Sequence, residues 1–145
     1  MTRPATNSRR LSNFALSSGT KRPREKNERH LDFIRTLPCL LCGAPAEAAH
    51  IRASYIHFGK PATGAAEKPS DKYAVPLCPE HHRLGNNSQH VAGYEREWWD
   101  EHGIEPVIVA ALLWSVTGDY EAGLLICESA GQVVYRATGE RIGRR

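Results

Sequence analysis

Two cysteine-bearing pairs set the terms for this 145-residue chain: Cys39-Leu-Leu-Cys42, and Cys78-Pro-Glu-His81 with His82 directly after it. Two thiols two residues apart can grip one ion from a tight turn. A third thiol and an imidazole at the same spacing complete a tetrahedral shell, the usual signature of a structural zinc site. With all four positions filled by protein, such an ion has no open place for chemistry. Four cysteines would also allow two disulfides. Cys127 sits apart in an apolar stretch, however, and reads as a small core residue.

Length allows one domain with tails. The apolar share is 41%, so the core is modest and gains from a metal staple. No apolar run is long enough for a membrane helix, and the basic N-terminus lacks the apolar segment of a secretory signal. The expectation is a cytoplasmic protein, where thiols stay reduced and cysteine pairs more often bind metal.

Charge is unevenly spread. Residues 1–30 carry eight Lys/Arg against two Glu, while residues 31–140 carry eight Lys/Arg against fourteen Asp/Glu, and three Arg follow. A basic arm on an acidic body suits contact with phosphates and release of counterions. A solvated, disordered end is the plainer reading, and both hold if the arm orders on binding. Residues 1–25 form that arm.

Along the body, Leu31, Phe33, Ile34 and Leu37 mark a short helix ended by Pro38. A strand is expected to end near His50, and a second over Lys72 to Leu77. Gly59, Pro61, Gly64 and Pro69 make the stretch between them a loop. Pro79 suits the first turn of a helix carrying His81 and His82. Gln89 to His102 reads as helical, with Val91, Tyr94 and Trp98 on its apolar face and Trp99 partly exposed. Pro106 opens another helix, which Gly118 stops. Residues 119–145 form an extension, hairpin or helix, with a basic tail.

His50 taken alone is an ordinary half-buried histidine. It gains meaning from Asp71, which ends the loop, and from His82. Adjacent helical residues point about 100° apart. His81 can therefore face one ion while His82 faces another surface. His50, Asp71 and His82 are candidates for one open site.

At these residues the chain resembles a family. Ala49-His50-Ile51-Arg52, Lys68-Pro69-Ser70-Asp71 and Val75-Pro76-Leu77-Cys78-Pro79-Glu80-His81-His82 look like HNH endonucleases with a zinc-bound knuckle. The likeness is strongest to the phage and prophage subgroup that includes recombination-enhancing nucleases. It covers Leu37 to Gly103, with Tyr94-Glu95 and His102-Gly103 echoing the subgroup's final segment. The resemblance implies an α+β fold: a small ββα-metal, treble-clef-like core over residues 26–118 with structural zinc, followed by two C-terminal helices. It implies His50 as general base, Asp71 as the residue that steadies it or borders a metal, and His82 as a ligand of a catalytic ion. The subgroup often has a further His four residues on, where this chain has Asn86. If Gly85-Asn86-Asn87-Ser88 is an insertion, His90 takes that role. Ala49 stands where the family often has a metal-binding Asp or His, so the open site is short of one ligand.

The implied function is a DNA endonuclease or nickase in phage or prophage DNA metabolism or recombination, inside a bacterial host. DNA is the substrate and a recombination protein a candidate partner. Two imidazoles suit Zn, Mn or Ni better than Mg, though all four stay open. Arg52 and Lys68 are candidate phosphate clamps, with solvated charge as the alternative. Tyr55, His57, Phe58 and Lys60 in the loop could meet sugars or bases, or close the loop's own small core. The competing functions are a non-catalytic zinc-knuckle module that binds nucleic acid and a structural adaptor.

Overall fold

A two-stranded antiparallel sheet sits at the centre. The computed structural model describes residues 24–63, 67–91 and 93–138. In it β1 (Glu47–His50) pairs with β2 (Ala74–Leu77), Glu47 opposite Leu77 and His50 opposite Ala74. The expected strands are therefore present, the second shortened by a 3-10 turn over Asp71–Tyr73. With the helices below, the fold is mixed α+β.

Helix α1 (Glu28–Arg35) starts where Asn27 offers its side-chain oxygen to the His30 amide at 3.0 Å. That satisfies one of the donors a helix start leaves open. Its buried face, with His30, Leu31, Phe33 and Ile34, packs on both strands. The chain then turns through the first cysteine pair. Cys39 N–H donates to Ala44 O at 2.8 Å and Gly43 N–H to Cys39 O at 2.9 Å, which closes a tight knuckle.

After β2 the expected helix is a π-type turn, Glu80–Leu84, held by Gly85 N–H donating to Glu80 O at 2.9 Å. A Cβ at Gly85 would lie 2.7 Å from that carbonyl oxygen, so only glycine fits this approach.

The long helix expected over Gln89 to His102 is not formed. Helix α2 spans only Glu95–Glu101. Gly93 has φ 78, a left-handed conformation that a helix cannot contain, and it separates α2 from the turns before it. The apolar face is corrected with it: Val91 and Tyr94 are exposed, whereas Trp98 and Trp99 are both buried. Trp99 was expected partly exposed. It is enclosed because its ring packs edge-on against Trp98, centroids 4.9 Å apart, and its indole N–H reaches Glu95 Oε2 at 3.2 Å. A helix this short, with both indoles covered, has core on two sides.

Helix α3 (Pro106–Ser115) begins with proline as expected and packs on β2. The extension is a helix rather than a hairpin: α4 runs Tyr120–Thr138 and packs on α3. Cys127 is buried there, as its apolar setting suggested. The core joins α1, both strands, α2, α3 and α4 through Ile34, Leu37, Ala49, Val75, Leu77, Trp98, Trp99, Leu113 and Cys127. No helix of the described residues is long and apolar enough to cross a membrane.

The expected basic arm lies, up to residue 23, outside the described residues, as does the basic tail at 139–145. Arg24 and Glu25, assigned to that arm, are pinned. Arg24 Nε donates to Pro69 O at 2.9 Å, and Asp71 N–H donates to Glu25 O at 2.8 Å.

Candidate functional site

The knuckle after α1 and the π-type turn after β2 bring Cys39, Cys42, Cys78 and His81 together, all ligand atoms within 4.8 Å of one another. Tetrahedral zinc with Zn–S near 2.3 Å and Zn–N near 2.0 Å separates two sulfurs by about 3.8 Å and a sulfur from a nitrogen by about 3.5 Å. Here Cys42 Sγ and Cys78 Sγ are 3.7 Å apart. His81 Nδ1 lies 3.3 Å from Cys78 Sγ and 3.7 Å from Cys39 Sγ. Leu41 N–H points at Cys39 Sγ from 3.4 Å. Burial works to raise the Cys39 thiol, but the surrounding backbone N–H groups outweigh it and hold the thiol below its ordinary value. Burial, with the Cys78 and Cys39 thiols close by, pushes Cys42 up to about 11. Three thiols crowded in this way favour a cation among them. The set can hold a metal ion such as zinc.

The other expected site histidines, His50, His82 and His90, fall into two groups. In the first, His50 Nε2 lies 2.9 Å from Asp71 Oδ1. Asp71 is buried and also accepts from Arg24 Nη2 and from Asn27 N–H, each at 2.7 Å. Burial alone would raise its carboxyl. The Asn27 amide, the His50 ring and Arg24 together outweigh burial and keep it below the ordinary value. Asp71 is thus ionised at neutral pH and can only accept, so His50 donates from Nε2. Burial also lowers the His50 pKa, against the pull of Asp71. The ring is then neutral near pH 7, with its lone pair on Nδ1.

In the second pair, His82 Nδ1 lies 2.7 Å from Glu47 Oε1. Glu47 also accepts from Arg83 at 2.7 and 3.1 Å. Those Arg83 bonds, followed by His82, hold Glu47 down to about 2 against its partial burial. An ionised carboxylate fixes His82 as donor through Nδ1 and leaves Nε2 to bind. A carboxylate behind a ligating histidine is the usual support of a metal imidazole. His90 comes alongside, its ring edge-on to that of His82 with centroids 4.6 Å apart. Burial, then His82, lowers its pKa. The return through Gly85–Ser88 makes this contact: Gln89 N–H donates to His81 O at 2.8 Å and His90 N–H to His82 O at 3.1 Å.

The residues of the expected open site make two hydrogen-bonded clusters. His50 meets Asp71, and His82 meets His90 and Glu47. No hydrogen bond among the described residues joins the two pairs. Alternation along β1 explains this, because residues 47 and 50 project to opposite faces. The pairs are tied through Gln89, whose Nε2 donates to His50 O at 3.2 Å. Arg52 sits close enough to His90, and Lys68 to His50, to depress each imidazole. Arg52 Nη2 also donates to Glu67 O at 2.9 Å, and its backbone N–H to the Glu95 carboxylate at 3.1 and 3.2 Å. Sequence reasoning missed Glu47 and Glu95. Glu47 carried one available signal: it lies three residues before His50 on a strand already expected.

Residues 15–117 match a family described as "Protein of unknown function (DUF968)". The chain is similar to the uncharacterized protein YdfU of Escherichia coli K12, 36% identical over 62 residues. That match covers 43% of this chain and 16% of the relative, so the chain spans a minor part of the protein it resembles. No solved structure matches.

Proposed function

We propose that this chain, which belongs to the DUF968 family of proteins of unknown function, is a metal-dependent DNA endonuclease or nickase of the HNH type, acting in phage or prophage DNA metabolism or recombination. One observation carries the reading. Two imidazoles, His50 and His82, each have one ring nitrogen bonded to a carboxylate, Asp71 and Glu47, and the other ring nitrogen outside that bond. One is poised as a base and the other as a ligand.

Phosphodiester hydrolysis needs a proton taken from water and charge balanced on the leaving oxygen. His50 takes the proton at Nδ1, and Asp71 holds its tautomer and stabilises the imidazolium that forms. His82 and His90, with Glu47 behind His82, hold a divalent ion, Mg, Mn, Ni or Zn. When bound, that ion supplies Lewis-acid stabilisation of the developing charge. Arg52 and Lys68 orient phosphate oxygens beside the two pairs. Cys39, Cys42, Cys78 and His81 hold a structural zinc that fixes the π-type turn, in a ββα-metal arrangement of β1, β2 and that turn.

A second reading is a non-catalytic zinc knuckle that binds nucleic acid. It is favoured by Ala49, which offers no ligand atom. Among the described residues, the Cys39, Cys42, Cys78 and His81 set is also alone in bringing three or more ligand atoms within 4.8 Å.

Supercoiled plasmid incubated with each of the four metals separates the two. Nicking by wild type that drops at least about 10²-fold in His50→Ala supports hydrolysis through this base. Equal nicking by the variant, or binding without nicking under every metal, overturns it.

A further inference from the structure

The loop after β1 is built in a way the hydrolytic reading does not use. Its neck is fastened by Arg52 Nη2 donating to Glu67 O. Further out, Tyr55 and Lys60 bridge each other, with Tyr55 N–H donating to Lys60 O at 2.8 Å and Lys60 N–H to Tyr55 O at 3.1 Å. The Lys60 side chain is turned inward and is only 1% exposed. Its ammonium donates to Ala53 O at 2.8 Å and Pro61 O at 3.2 Å. Tyr55 is buried too, with the Arg96 guanidinium 5.0 Å from its ring centroid. Burying an ammonium for two carbonyls is costly, and it locks the turn between them.

That turn, Ile56–Phe58, holds two large apolar side chains in water: Ile56 is 78% exposed and Phe58 46%. A lone exposed apolar residue means little. Two at the end of a loop braced by a buried lysine is a different arrangement. Residues 53–66 contain no carboxylate, and the exposed His57 lies between the two apolar side chains. The loop is thus free of the charge that DNA repels. From His50 to Ile56 the chain reaches at most about 20 Å, roughly six base steps, so the turn and His50 address the same stretch of nucleic acid.

We infer that Ile56 and Phe58 form a rigid wedge that enters between unstacked bases and directs the chain to mismatched or branched DNA over plain duplex. This rests on the DNA reading above and names its substrate class. Apolar side chains between base steps are an established way to hold distorted DNA. Contact of this kind contributes about 1–3 kcal/mol per base, so the preference should be tenfold or more.

The test uses the full metal-bound chain and short synthetic DNA carrying 2-aminopurine at a mismatch or branch point, with no further divalent cation. Wild type should raise the 2-aminopurine emission and bind this DNA about tenfold more tightly than plain duplex. The double variant Ile56→Ser, Phe58→Ser should lose both while keeping its Tm within a few degrees, since neither side chain belongs to the buried core. An unchanged emission rise and preference in the double variant overturns the wedge. So does wild type that nicks plasmid without unstacking a base, which leaves the nuclease reading standing. Tip-dependent unstacking without nicking under any metal does the reverse. Tip-dependent binding to phosphatidylcholine vesicles with no change in emission also overturns the wedge.

Discussion

His30 shows how a residue outside the site can govern stability. It is fully buried on α1, its Nδ1 lies 2.7 Å from Thr117 Oγ1, and its ring packs edge-on to Trp114 at 4.7 Å. Thr117 spends its own proton on Trp114 O, so His30 must donate from Nδ1. Its Nε2 has no hydrogen-bond partner among the described residues. Burial lowers its pKa from 6.5, against the attraction of Asp71. A proton on Nε2 would therefore enter a buried place with nothing to receive it. The folded pKa lies below the unfolded one, so the unfolded chain binds more protons as pH falls beneath about 6.5. Stability should drop in that window. His30→Gln keeps a donor for Thr117 and removes the titration. Urea midpoints at pH 7.5 and 5.5 should differ less in this variant than in wild type. At this scale the sequence was legible where spacing is itself chemistry, as for Cys39, Cys42, Cys78 and His81. It was not legible where a partner comes from far along the chain, as Glu47 does for His82 and Arg24 for Asp71. Lys60 was invisible for the same reason, since nothing local marks a lysine that turns inward.

Among the elements, the π-type turn Glu80–Leu84 and the return that follows do the positioning. One extra residue in the turn, compared with an α-helix, lets His81 face the thiols while His82 faces Glu47. The return then seats His90 against His82. Gly85→Ala would set a Cβ against the Glu80 carbonyl, a backbone atom that cannot swing aside. Overpacking of this order costs about 1–3 kcal/mol. The expected outcome is a lower urea midpoint together with weaker binding of a second equivalent of Zn2+ or Ni2+ in calorimetric titration. Periodicity located α1, whose apolar face is buried, whereas α3 followed from Pro106 and the apolar run after it, and the strands from short segments between turn residues. Periodicity misplaced α2 because Val91 and Tyr94 continue an apolar pattern that Gly93 had already interrupted. That glycine was in plain view, and a left-handed residue outweighs a matching period.

For the whole molecule, the Cys/His set closes the chain on itself. Glu47, His50, Arg52, Lys68 and Asp71 all lie between Cys42 and Cys78. Opening that closure frees every one of them at once, since a two-stranded sheet is marginal alone. Chelation should lower Tm by at least about 10 °C, with Zn2+ restoring it, measured by thermal scan alongside the zinc content per chain. Cys42→Ser should behave as chelated wild type does. Chain-wide architecture followed from the sequence only as far as one metal-stapled α+β unit, because the order of packing depends on contacts that short segments do not encode. One such contact has reach. A single oxygen, Asp71 Oδ1, receives both the guanidinium of Arg24 and the ring of His50. Arg24, Asp71 and the His50 ring are therefore strung on one atom, so a shift of Arg24 is felt at the imidazole.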